Sequence, residues 1–224
     1  MDLNCTHKIN FLGDSITEGH GVTSDEGYVG VIASQTGAMC RNYGVSGTRI
    51  AKQHTPSIDP NWDLDFCSRV ALMDADADVI VVLGGTNDYG HGNAVIGAME
   101  DRTPDTFYGA LHTLYSSLIN KYPRSVIVIC TPLHRLDEET GISPNGLYIR
   151  AYTLKSYVNA IREVAEYYSL PVADLYANSG LQPMVDAVNH LYFLDGLHPN
   201  RNGHQVIANQ ILSFLQAYPN KKCT

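Results

Sequence analysis

A serine where an apolar run hands over to a turn, and an aspartate three residues before a histidine, are the residues of this chain best placed to do chemistry together. Ser15 lies in Gly13-Asp14-Ser15-Ile16-Thr17-Glu18-Gly19, directly after Ile9-Asn10-Phe11-Leu12. A strand that stops at such a turn presents its hydroxyl at the carboxyl end of a sheet, where open α/β folds build their sites. Asp and Ser also cap helices, so the local residues leave capping and nucleophilic attack equally open. A serine hydroxyl needs a base within reach and a third group to orient that base. Asp195-Gly196-Leu197-His198-Pro199-Asn200 offers both: the spacing lets one turn of chain aim the carboxylate at one imidazole nitrogen and leave the other for Ser15. Pro199 cannot continue a helix, which puts His198 on a loop or turn.

Two further segments supply hydrogen-bond donors of the kind acyl transfer requires. Asn42-Tyr43-Gly44-Val45-Ser46-Gly47-Thr48 follows one predicted strand, and Leu83-Gly84-Gly85-Thr86-Asn87-Asp88 follows another, Asp78-Val79-Ile80-Val81-Val82. Glycines let backbone approach a ligand closely, and the Gly47 N–H, the Asn87 side-chain amide and the Ser15 N–H can converge on a developing oxyanion.

With these four segments in their order, the chain resembles the SGNH hydrolases, also called GDSL-type esterases and lipases, over nearly its whole length. The resemblance implies Ser15 as nucleophile, Asp195 and His198 as orienter and base, and Ser15, Gly47 and Asn87 as the oxyanion hole. Ile16 stands where the GDSL name has leucine, a change that touches nothing catalytic. Family members act on acetylated polysaccharides, short esters, lysophospholipids and thioesters. The reaction so implied is ester hydrolysis through an acyl-enzyme, with no cofactor and no metal.

The elements that must position these residues alternate between strand and helix patterns. Apolar strand candidates cover about 8–12, 39–43, 78–83, 125–130 and 171–175. Leu147, Ala151, Leu154, Val158, Ile161 and Ala165 recur at helical spacing, as do Phe107, Leu111, Leu114 and Leu118. A last helix around 201–217 puts Ile207, Ile211 and Leu215 on one face. Parallel strands with crossover helices predict an α/β fold, a three-layer α/β/α sandwich around a flavodoxin-like five-stranded parallel sheet in the order 2-1-3-4-5. No repeat or linker divides the chain, so residues 1–224 read as one domain. Long loops are expected at about 48–62, 88–104, 134–146 and 176–197, where specificity resides.

Fifteen basic against twenty-three acidic residues give a net charge of −8, which argues against binding nucleic acid or an anionic membrane. The five cysteines are widely spaced, without a C-x-x-C pair, and Cys130, ending Val126-Ile127-Val128-Ile129, reads as a buried thiol. The N-terminus shows no basic region followed by an apolar stretch, and no run spans a membrane. The sequence therefore reads as cytoplasmic, or as secreted if a leader has been removed; its oligomeric state is not legible.

Asp14, Trp62, Tyr89 and His91 are candidate substrate contacts, although Trp62 reads more readily as packing. His91, His134, His190 and His204, taken singly, read as surface residues, because His198 alone has a carboxylate three residues earlier in a matching motif. The run His134-Arg135-Leu136-Asp137-Glu138-Glu139 reads as a solvated loop. Polar and aromatic loop residues, among them Asn61, Trp62 and Asn93, favour a small-molecule or carbohydrate ester carrying a short acyl group. A lysophospholipase, thioesterase or acyltransferase is the alternative, and a non-catalytic binding module a third reading.

Overall fold

The apolar runs become strands of one parallel sheet. In a computed structural model, which describes residues 7–139, 141–142 and 149–218, these are β1 (Lys8–Gly13), β2 (Met39–Gly44), β3 (Val79–Leu83) and β4 (Val126–Cys130). Two short strands, β5 (Gly141–Ile142) and β6 (Ile149–Arg150), pair antiparallel apart from the sheet. β7 (Val172–Ala173) completes it in the order β2-β1-β3-β4-β7, which is 2-1-3-4-5 when this sheet's strands are counted along the chain. Gly13 lies in register with Gly44 and Leu83, Leu83 with Cys130, and Cys130 with Ala173. The carboxyl ends therefore form one edge, and every loop leaving it starts at a similar height.

Side chains alternate across a strand, so the sheet has two apolar faces and needs a helical layer on each. Ile9, Phe11, Val79, Val81, Val126 and Val128 pack on one side with Ile32 of α2 (Tyr28–Thr36) and Ile207, Ile211 and Leu215 of α9 (Arg201–Ala217). Leu12, Ile80, Val82, Ile127 and Ile129 pack on the other with Leu111, Leu114 and Leu118 of α5 (Phe107–Lys121) and Val158, Ile161 and Ala165 of α6 (Leu154–Tyr167). Each large aliphatic side chain so buried contributes about 1.5–3 kcal/mol. The predicted apolar stripes thus do the packing.

α6 starts later than its stripe predicts. Leu147 lies outside the described residues, and Ala151 is exposed ahead of the helix, which begins at Leu154 after Thr153. Arg150 explains the delay: it sits in β6 with its guanidinium buried against Asp137 and the Gly90 carbonyl. Two expected loops also contain helices. α4 (Thr86–His91) opens the stretch 88–104, while α7 (Leu175–Asn178) and α8 (Asp186–Tyr192) occupy part of 176–197. α8 buries no residue fully and α4 is rich in polar buried groups, so neither writes an apolar period into the sequence. The remaining helices, α1 (Ser15–Glu18) and α3 (Phe66–Arg69), are single turns beside the carboxyl edge.

Candidate active site

Capping and exposure of the hydroxyl turn out to be divided between neighbours. Asp14 is the N-cap of α1, its carboxylate accepting from the Ile16 N–H at 3.0 Å, which leaves the Ser15 hydroxyl available. Ile16 and Thr17 anchor the turn: Ile16 is buried in the core, and Thr17 Oγ1 lies 2.9 Å from the buried Tyr28 hydroxyl.

From the far end of the chain, the turn between α8 and α9 brings His198 to the serine. The Asp195 carboxylate accepts from the His198 N–H at 2.7 Å and the Leu197 N–H at 3.0 Å, and its second oxygen accepts from His198 Nδ1 at 2.8 Å. With Nδ1 donating to the carboxylate, Nε2 is the acceptor that faces Ser15, 3.2 Å from its Oγ. Burial works to raise the Asp195 pKa, but those hydrogen bonds outweigh it and hold the carboxyl below its ordinary value. Asn200 caps α9 through the Asn202 and Gly203 N–H groups, so the helix begins just past Pro199.

The donor segments close on the same point. Gly47 has φ +75°, and a Cβ there would lie 2.1 Å from the Trp62 ring, so both its backbone angle and its neighbour require glycine. Glu18 steadies this loop by accepting from the Ser46 N–H at 2.9 Å and from its hydroxyl. Asn87 is buried on α4, with its side-chain amide donating to the Thr48 carbonyl at 3.1 Å. Ser15, Gly47, Asn87 and His198 all line one cavity of about 510 Å³.

Trp62 and His91 line it too, their rings 4.7 Å apart; Trp62 is half-buried at the cavity wall and packs against Gly47. Burial, helped by Arg49 and Arg135, depresses the His91 pKa to about 4. The two other candidate contacts are not in the lining. Asp14 is spent on its cap, and Tyr89 is buried with its hydroxyl donating to the carbonyls of Asp137 and Glu139. His204, expected at the surface, is fully buried on α9, accepting from the Tyr28 N–H at 3.2 Å; burial, with His198 nearby, lowers its pKa to about 4. His190 is exposed on α8, and His134 stacks on Tyr176 and pairs with Glu138.

Several contributors escaped the sequence reading. Arg69, buried, donates to the Gly13 and Tyr43 carbonyls and to Thr48 Oγ1, tying the ends of β1 and β2 to the donor loop. Asp88 accepts from the Ile50 and Ala51 N–H groups at 2.9 Å each, and burial pushes its carboxyl up to about 6. His20 lines the cavity with its ring 4.4 Å from that of His198. Arg135, Asp137 and Arg150 line it as well, contrary to the solvated loop read from 134–139. Ion pairing among residues 2–13 positions apart follows no helical or strand period, so no spacing signal marks it.

Fold and site together define an α/β protein with a hydrogen-bonded serine–histidine–aspartate chain at the carboxyl edge of its sheet. The family model for the GDSL-like Lipase/Acylhydrolase family matches residues 11–206, and the chain belongs to that family of hydrolases. A solved chain 31% identical superposes with TM-score 0.80, covering 94% of this chain and 96% of that one. A protein from Lactobacillus plantarum is 29% identical with TM-score 0.81, covering 95% and 98%. The lipase/acylhydrolase from Enterococcus faecalis shares the fold at 20% identity and TM-score 0.63, covering 97% and 100%. Comparison with curated proteins gives no match.

Proposed function

We propose that this hydrolase is a serine esterase that cleaves short-acyl carboxylic esters of a carbohydrate or similar polar alcohol. The observation that carries the reading is the continuous chain Ser15–His198–Asp195 facing the cavity that Gly47 and Asn87 also line. Ser15 Oγ attacks the ester carbonyl while its proton passes to His198 Nε2. The resulting oxyanion is held by the Ser15 and Gly47 N–H groups and the Asn87 amide. Collapse expels the alcohol, which takes the proton from His198 and leaves an acyl-serine. Water then attacks the acyl group by the same path in reverse, with Asp195 keeping the imidazole in its tautomer throughout.

A polar alcohol is supported by the half-buried Trp62 beside His91, a wall on which a sugar ring can stack. A lipid acyl ester or thioester, or transfer of the acyl group to another acceptor, is the second reading. It is favoured by Leu136 and Leu194, which are exposed and whose N–H groups donate to the Gly196 and His198 carbonyls of the turn. Hydrolysis of esters from acetyl to dodecanoyl, with Ser15→Ala alongside, tests both. The expected result is a rate highest at acetyl or propionyl and lost in Ser15→Ala. A rate rising with acyl length favours the lipid reading, and wild-type turnover by Ser15→Ala refutes the mechanism.

A further inference from the structure

Three charged residues in the wall of the catalytic cavity are left without a role in the chemistry above. Arg135 and Arg150 share one carboxylate: Arg135 Nε donates to Asp137 Oδ1 at 2.6 Å, and Arg150 Nη2 donates to Asp137 Oδ2 at 2.7 Å. Both guanidiniums are nearly buried and both lie over the Tyr89 ring, at 5.3 and 4.6 Å from its centroid. Asp137 is the only carboxylate among the described residues lining the cavity. Arg49, next to this wall, is matched by Asp63 at 2.8 Å, and burial keeps its other neighbour, His91, neutral near pH 7. His198 turns Nε2 to Ser15 as an acceptor, and Asp195 behind it is not among the lining residues. Among the lining residues themselves, two guanidiniums therefore stand against one carboxylate, inside a protein of net charge −8.

The donors are not all spent. Arg150 is occupied by the Asp137 carbonyl and carboxylate, the Tyr89 hydroxyl and the Gly90 carbonyl. Arg135 Nη1 donates to the Thr86 carbonyl and hydroxyl, whereas its Nη2, with two protons, makes one long bond to Asp137 at 3.3 Å. Arg150 thus acts as the brace and Arg135 retains an N–H for a ligand.

We propose that the Arg135–Asp137–Arg150 wall selects esters that also carry an anionic group, a carboxylate above all, and that Arg135 Nη2 is its donor. A partly desolvated guanidinium is the side chain best matched to such a group. The inference rests on the esterase reading and specifies its substrate class.

Two matched pairs test it by pH-stat titration: methyl hydrogen adipate against methyl hexanoate, with the charge in the acyl part, and 4-acetoxybutanoate against butyl acetate, with the charge in the alcohol. At low salt the anionic member of at least one pair is expected to have the higher kcat/KM by about 10- to 100-fold, as one charge acting over several ångströms at intermediate dielectric gives. The ratio should shrink at about 0.5 M NaCl, where the screening length is only a few ångströms. Arg135→Gln should bring it to near one, and Arg135→Lys should restore part of it. Asp137→Asn should raise it by removing the compensating charge, an increase that a merely structural tether does not produce. Ser15-dependent hydrolysis without anionic preference in either pair, or a ratio unmoved by Arg135→Gln, overturns the proposal and leaves the esterase reading intact. No Ser15-dependent turnover of any of the four esters overturns both.

Discussion

Replacing Asp14 by asparagine should stabilise the protein, and increasingly so as the pH rises. The Asp14 carboxyl is essentially inaccessible beside Ser15. Burial raises its pKa from 3.8 to about 7, against the opposing pull of the Ile16 N–H and Arg69, and Asp88 adds to the rise. A group whose folded-state pKa lies above its unfolded value contributes stability that is full below the unfolded value and is lost as pH climbs through the folded one. The window here runs from about pH 4 to about pH 7. At about 1.4 kcal/mol for each tenfold difference in proton affinity, the loss across it is on the order of 4 kcal/mol. The substituted amide keeps an oxygen to accept from the Ile16 N–H but never ionises, so it escapes this loss. For a chain of this size that corresponds to a gap in Tm of roughly 8–16 °C above about pH 7, closing towards about pH 4. Thermal unfolding followed by circular dichroism at half-unit intervals across that range and one unit beyond it measures the gap directly. A variant whose Tm stays parallel to that of the wild type throughout, or falls below it at the alkaline end, refutes the argument.

Two other substitutions probe the site. Asp195→Asn keeps an oxygen for the Leu197 and His198 N–H groups but no longer fixes the imidazole tautomer, so kcat on an acetyl ester should fall about 10³–10⁴-fold with the circular dichroism spectrum unchanged; a loss under tenfold contradicts the role. Gly47→Ala drives a methyl group into Trp62 at a positive φ, displacing a donor loop, and should cost roughly 10²–10³ in kcat. In a Trp62→Ala background the same change should cost less, because the clash is gone and only the φ strain remains; equal losses in both backgrounds would exclude the clash as the cause.

The sheet, its order and the four segments at its edge were legible in the chain alone, because they depend on local regularities: runs of β-branched residues in Val79–Leu83 and Val126–Cys130, the stripe of Ile207, Ile211 and Leu215, and turn residues at strand ends. Ser15, Asp195 and His198 were legible for the same reason, since the last two sit within one turn of each other and the first follows a strand. The start of α6 was not, because Arg150 is extended by a contact with Asp137 that no periodicity records. The fate of the candidate contacts was equally hidden. Tyr89 was taken out of the lining by two backbone carbonyls 48 and 50 residues away, while Arg135 and Arg150 were brought into it by a shared carboxylate. Period and turn chemistry are properties of neighbours along the chain. Which side chain faces the cavity, and with what charge, depends on partners far apart in the chain, and folding alone brings those together.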